Sequence, residues 1–156
     1  MTVVAGDYLV GAKIIVGAKG TSAAIAKGDL LQADTTNHVW VTCPASADNV
    51  GPFGVAAEAQ ATADAVVKVI IEGSVYVTVG STNTVHAPHY VQNDDAVAGR
   101  VKEYVSSVGT AGAAGVNATK IVGMYEGHEN EGTLGSAPTN STGNGDIIRI
   151  RLGTTG

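Results

Sequence analysis

Three landmarks recur in the same order in the two halves of this 156-residue chain. Leu31-Gln32-Ala33-Asp34 is echoed by Val91-Gln92-Asn93-Asp94. Phe53-Gly54-Val55 is echoed by Val122-Gly123-Met124, with a glutamate soon after each, Glu58 or Glu126. Val66-Val67-Lys68-Val69 is echoed by Ile147-Ile148-Arg149-Ile150, with a glycine following at 73 or 153. A duplicated unit constrains the fold more than any single motif, because halves spanning about 28–80 and 87–153 are each too short to bury a core alone. The two copies are expected to close on one another. Gln32 and Gly54 are 22 residues apart against 31 for Gln92 and Gly123, and Gly54 and Lys68 are 14 apart against 26 for Gly123 and Arg149. The surplus of the second copy falls in 106–117 and 128–145. Both stretches are rich in Gly, Ala, Ser, Thr and Asn and read as long surface loops.

Periodicity inside the unit is that of strands. In Val75-Tyr76-Val77-Thr78-Val79 the valines share one face while Tyr76 and Thr78 share the other, and Ile148, Ile150 and Leu152 oppose Ile147, Arg149 and Arg151 in the same way. Strands are expected at 13–16, 39–41, 54–56, 66–71, 74–79, 101–105, 121–125 and 147–152. Turn signals such as Lys27-Gly28-Asp29, Asp48 to Pro52 and Gly143-Asn144-Gly145-Asp146 separate them. Ala56 to Ala65 alone has helical propensity, with a strand followed by a loop as the alternative. Twenty-one glycines, 4% aromatic and 15% charged residues also argue against a helical bundle. The predicted fold class is all-β: a small antiparallel β-barrel or sandwich forming one domain over 13–156, built from the duplicated strand unit.

The same residues exclude several function classes. Net charge is −5 and the nine cations never form a block, so no nucleic-acid partner is expected. A single cysteine, Cys43, rules out an intramolecular disulfide framework and a cysteine-based zinc cluster, and reads as a passive small residue at a strand end. No apolar run approaches the ~18 residues of a membrane span, and Met1 to Val10 lacks the pattern of a signal peptide. The expectation is a soluble chain made in the cytoplasm, with no membrane partner. No Gly-x-Ser-x-Gly elbow or phosphate loop is present, so no catalytic residue and no cofactor is expected. His86-Ala87-Pro88-His89 sets two imidazoles three residues apart, but a metal would need distant Cys43, His38 or His128, and the segment reads as a turn entering a strand. Glu126-Gly127-His128-Glu129-Asn130-Glu131 lacks the spacing of a calcium loop and reads as a solvated acidic turn. Trp40, the sole tryptophan, is a core or interface anchor.

The order Gly28-Asp29-Leu30-Leu31, Gly51-Pro52-Phe53-Gly54-Val55-Ala56, Val67-Lys68-Val69 to Gly73, Tyr90-Val91, Val122-Gly123 and Asp146-Ile147-Ile148-Arg149-Ile150-Arg151-Leu152-Gly153 resembles the small capsid decoration, or cement, proteins of tailed viruses of bacteria and archaea. The likeness spans roughly 3–153. The two long loops depart from the family pattern, as does His89, where Gly-Asp more often precedes the Tyr-Val pair. The resemblance implies a non-enzymatic structural protein on the outer surface of the expanded virion head. There it would bridge subunits of the major capsid protein, often as a homotrimer. Many modest contacts made at once would give large collective stability.

Residues 1–12 stand apart from the repeat. One reading is an arm that adds a strand to an exposed sheet edge of the capsid protein, with Thr2, Val3, Val4, Tyr8 and Val10 making the contacts. The other is the first strand of the barrel. A second function class is a head-fibre or surface receptor- or glycan-binding β-module acting through the long loops. Those loops contain no aromatic residue, which favours decoration.

Overall fold

A computed structural model describes residues 3–18, 24–34, 36, 38–46, 48–62, 66–80, 85–86, 88–104, 120–128 and 145–153. The described residues form nine strands and no helix: β1 (Lys13–Ala18), β2 (Leu30–Asp34), β3 (Val39–Thr42), β4 (Phe53–Ala56), β5 (Val66–Thr78), β6 (Tyr90–Asn93), β7 (Val101–Glu103), β8 (Ile121–His128) and β9 (Ile147–Leu152). They make one curled sheet in the order β3-β2-β4-β5-β9-β8-β6-β7, with β1 added on β5. The all-β antiparallel architecture is therefore present, as a half-barrel surface. The Ala-rich 56–65 stretch is not helical where it is described. Its amides bond across the sheet instead, Ala57 N–H to Lys68 O (2.9 Å) and Gln60 N–H to Ile25 O (2.8 Å).

The strand order reads the same from either end, and the register repeats with it. Leu31 faces Gly54 as Val91 faces Gly123, and Ala33 faces Trp40 as Asn93 faces Val101. Ala56 faces Val69 as Tyr125 faces Ile150. Ile15 faces Val69 as Val75 faces Ile150. Each unit thus has five strands, β1-β5-β4-β2-β3 and β5-β9-β8-β6-β7, and β5 serves both. Its first part (66–72) is the last strand of one unit and its second part (73–78) the first strand of the next. The separate strands expected at 66–71 and 74–79 are one 13-residue strand. Gly73, at φ +100°, stands where β5 passes from pairing with β1 to pairing with β9 without ending the strand, and a Cβ there would sit 2.8 Å from Ala12 Cα.

Equivalent positions fill the two interiors differently. In the first unit Trp40 packs with Ile15, Leu31, Ala56, Val67, Val69 and Ile71. The indole has room because its neighbour on β1 is Gly17, where a Cβ would fall on the ring. In the second unit Val101 stands where Trp40 does and Val77 where Gly17 does. The bulk moves to Tyr125, fully buried on β8 at the place of Ala56. The bulky aromatic thus sits on different strands in the two units.

The units meet over a shared core in which Leu30, Cys43, Val55 and Ile70 join Val75, Tyr125, Ile148 and Ile150. Backbone bonds stitch the seam: Leu30 N–H to Gly99 O (2.8 Å), Gly99 N–H to Cys43 O (2.9 Å) and Cys43 N–H to Leu30 O (2.9 Å). The buried Asn93 amide donates across it to Ser46 O (3.2 Å). Cys43 lies just beyond β3, fully buried, its thiol pushed up to about 12 by burial and by the negative charge of Asp29. Since the thiolate is the reactive form, the native chain is expected to resist thiol-specific reagents at neutral pH and to label stoichiometrically in denaturant. Rapid labelling of the native chain would show that the seam opens freely.

Candidate functional site

The N-terminal segment is laid along β5. Tyr8 pairs with Val75 in the same antiparallel sense as β1 further along, where Lys13 pairs with Glu72. Gly6 N–H donates to Tyr76 O (2.8 Å), Tyr76 N–H to Asp7 O (2.9 Å) and Leu9 N–H to Ser74 O (3.0 Å). Asp7 is the anchor. It accepts from Lys27 Nζ at 2.6 Å and from Val4 N–H at 3.1 Å, and these bonds hold its carboxyl below the ordinary range. Both ends of the Asp7–Lys27 pair are well exposed, so it adds little stability by itself. Gly28 accommodates the segment: its φ is +88°, and a Cβ there would fall on the Ala5 backbone, with Ala5 C only 2.6 Å away.

Among the residues expected to contact a partner, Val4, Tyr8 and Val10 are exposed, as is Leu9 between them, while Val3 is half-buried and Thr2 lies outside the described residues. Tyr8, Leu9 and Val10 follow one another, with Val4 set apart by Ala5, the buried Gly6 and Asp7, on a segment held by backbone bonds and by the Asp7 anchor. Its far end, Leu9 to Ala12, borders a shallow cleft of about 380 Å³ with Glu72, Ser74 and Arg151 to Gly153. Trp40, on β3, is half-buried in the interior of the first unit, where its ring lies against Gly17 of β1. Loop 106–117 and nearly all of 128–145 lie outside the described residues.

In place of the solvated acidic turn expected over 126–131, Glu126 to His128 belong to β8, residues 129–131 lie outside the described residues, and the Glu126 side chain, only 12% exposed, is engaged by two cations of β9. Arg151 Nε and Nη2 both approach Glu126 Oε1 at 2.9 Å, and Arg149 Nε approaches Oε2 at 3.1 Å. Asp29 sits at the seam between the units, where burial raises its carboxyl above the ordinary value. The Ala26 N–H and Thr42 hydroxyl bonds and the charge of Arg100 oppose that shift.

One group of three metal-capable side chains occurs among the described residues: His86, His89 and Glu103. His89 N–H bonds to His86 O (2.9 Å), forming the expected turn into β6. His86 Nδ1 lies 2.7 Å from Glu103 Oε2 and His89 Nδ1 lies 2.9 Å from Oε1. Burial pushes Glu103 up, but the bonds from His89, from His86 N–H and from the His86 ring outweigh it and leave the carboxyl below its ordinary value. Sequence reasoning weighed Cys43, His38 and His128 as partners for the two histidines and passed over Glu103. Val91 on β6 faces Glu103 on β7, and that hairpin register was the signal available. Comparison of the chain with protein-family models, with curated proteins and with solved structures finds no match.

Proposed function

We propose that this protein is a non-enzymatic capsid decoration protein that binds the outer surface of an expanded viral head and bridges neighbouring major capsid protein subunits as a homotrimer. The observation that carries the reading is the N-terminal segment: exposed apolar side chains at Val4 and at Tyr8, Leu9 and Val10, on a segment whose backbone is hydrogen-bonded to β5. An extended segment of that kind suits pairing with a partner's strand, with main-chain bonds giving affinity and the apolar side chains filling pockets. The sequence resemblance, running over the same strand units, supports it. Preferential binding to the mature lattice would stabilise that lattice by mass action.

The test is co-sedimentation with expanded empty heads and with unexpanded procapsids of the virus that carries the chain, beside light scattering of the free protein. Pelleting with expanded heads alone is expected, with a solution mass about three times the 15.6 kDa chain. A variant lacking residues 1–8 keeps β1 and is expected to remain folded while losing at least tenfold in binding. Wild-type affinity in that variant, or equal binding to both shells, would remove the decoration reading in this form and favour a receptor- or glycan-binding module.

A further inference from the structure

We propose that His86, His89 and Glu103 form a mononuclear site for a divalent transition ion of the zinc class. The site belongs to the second unit alone and is independent of the capsid reading. One ligand atom from each residue, an imidazole nitrogen of either histidine and a carboxylate oxygen, already lies within 4.8 Å of the other two. In a tetrahedral zinc site with bonds of about 2.0–2.2 Å, neighbouring ligand atoms stand about 3.3–3.5 Å apart. The two rings meet different oxygens of the carboxylate, His86 Nδ1 on Oε2 at 2.7 Å and His89 Nδ1 on Oε1 at 2.9 Å, and each pair has to open by roughly half an ångström for an ion to enter between the rings and the carboxylate.

Backbone structure holds the donors in place, beyond the contacts they make with each other. Glu103 ends β7, its register fixed by pairing with Val91, and its Oε2 also accepts the His86 backbone N–H at 2.7 Å. His89 is pinned on both sides, by its own N–H on His86 O and by Tyr125 N–H on its carbonyl, each at 2.9 Å. Secondary bonds that orient the ligands are a general feature of metal sites. Glu103 is half-buried, its side chain 18% exposed, whereas the histidine side chains are 49% and 56% exposed, so an ion can reach the donors from solvent.

Two nitrogens and one carboxylate suit zinc, cobalt, nickel or copper. Calcium and magnesium demand more oxygen ligands than this group offers. The imidazoles bind as neutral rings through the Nδ1 lone pair. A ring that donates from Nδ1 to Glu103 in the metal-free form must carry its proton on Nε2 once Nδ1 binds the ion. The remaining coordination positions go to water. The bound ion would tie the loop before β6 to the end of β7 and stabilise the second unit through linkage.

The experiment titrates the full-length chain with zinc chloride by calorimetry and with cobalt chloride by visible absorption. One ion per chain is expected, with cobalt bands of nitrogen-ligated tetrahedral or five-coordinate type and a melting temperature raised by roughly a few degrees at saturating zinc. His89→Ala and Glu103→Gln should each weaken zinc binding at least tenfold, while His38→Ala, on the β2–β3 turn, leaves it unchanged. Glu103→Gln preserves side-chain size, and circular dichroism of both variants separates lost ligation from lost folding. Absence of zinc uptake by the wild-type chain, unchanged uptake in a folded Glu103→Gln and His89→Ala pair, or equally tight calcium binding would overturn the assignment.

Discussion

Gly123→Val is expected to destabilise the native fold by more than about 3 kcal/mol in urea unfolding. Gly123 lies on β8 between β6 and β9, paired with Val91 on one side and Leu152 on the other. A Cβ at this position would fall on the carbonyl oxygen of Arg151, and the Arg151 carbonyl carbon lies only 3.0 Å away. These obstacles are backbone. Making room means moving β9, which loosens its ladders to both β8 and β5. Overpacking in a well-filled core typically costs about 1–3 kcal/mol when side chains can adjust. Here they cannot, and the cost is expected to exceed about 3 kcal/mol, a large part of the ~5–15 kcal/mol that stabilises an ordinary domain. The equivalent Gly54 gives a control, since a Cβ there meets first the Val69 side chain, where the obstacle at Gly123 is backbone, with Ile70 O at 3.1 Å. Gly54→Ala should therefore be measurably milder than Gly123→Ala in urea unfolding. Equal midpoints for the two would mean that β9 yields readily and that the ladder accounts for less of the stability than its geometry implies.

Tyr125→Ala carries the other large effect. Tyr125 heads the largest fully buried side chains and lies in the cluster that spans both units. Removing an aromatic side chain from such a core costs about 3–5 kcal/mol, because the lining relaxes only partly into the cavity. Tyr125→Phe keeps the ring and is expected to cost only about 1 kcal/mol, the usual net worth of a hydroxyl's hydrogen bond. Chemical denaturation of both variants separates packing from polarity. If the two lose similar amounts, the hydroxyl rather than the ring holds β8 in place. Ala56→Tyr probes the reciprocal position in the first unit. Alone it should clash with Trp40, and combined with Trp40→Val it should recover part of the loss, since the pair then copies the second unit's arrangement.

The sequence made strand identity legible wherever alternation was clean. Val75 to Val79 and Ile147 to Leu152 have the predicted inward and outward faces. The pairing of Leu31 with Gly54 and of Val91 with Gly123 gives the repeated landmarks a common geometry. What escaped was whatever the chain decides across distance. Gly73 looked like a strand break, because period-two reasoning cannot distinguish a glycine that ends a strand from one at which the strand changes partners. Ala56 to Ala65 has intrinsic helical propensity, but the Lys68 and Ile25 carbonyls accept its amides. Tyr125 gave no hint of its burial, since only comparison with Ala56 and Trp40 shows which strand carries the bulk. Glu103 stands 14 residues from His89 and 17 from His86, and only the β6–β7 hairpin brings it between them.

The sharing of β5 has a mechanical consequence. Duplicated units joined by a linker swing about it, so a load on one reaches the other late and weakly. Here the join is the middle of a strand, with Tyr8 and β1 along its length and β4 and β9 also paired to it. It offers no pivot. Tension between the two halves passes along the backbone and loads the flanking hydrogen bonds in shear, many together rather than one after another. Such a molecule behaves as a single stiff strut, and whatever it grips at one end is held at a fixed distance and angle from the other.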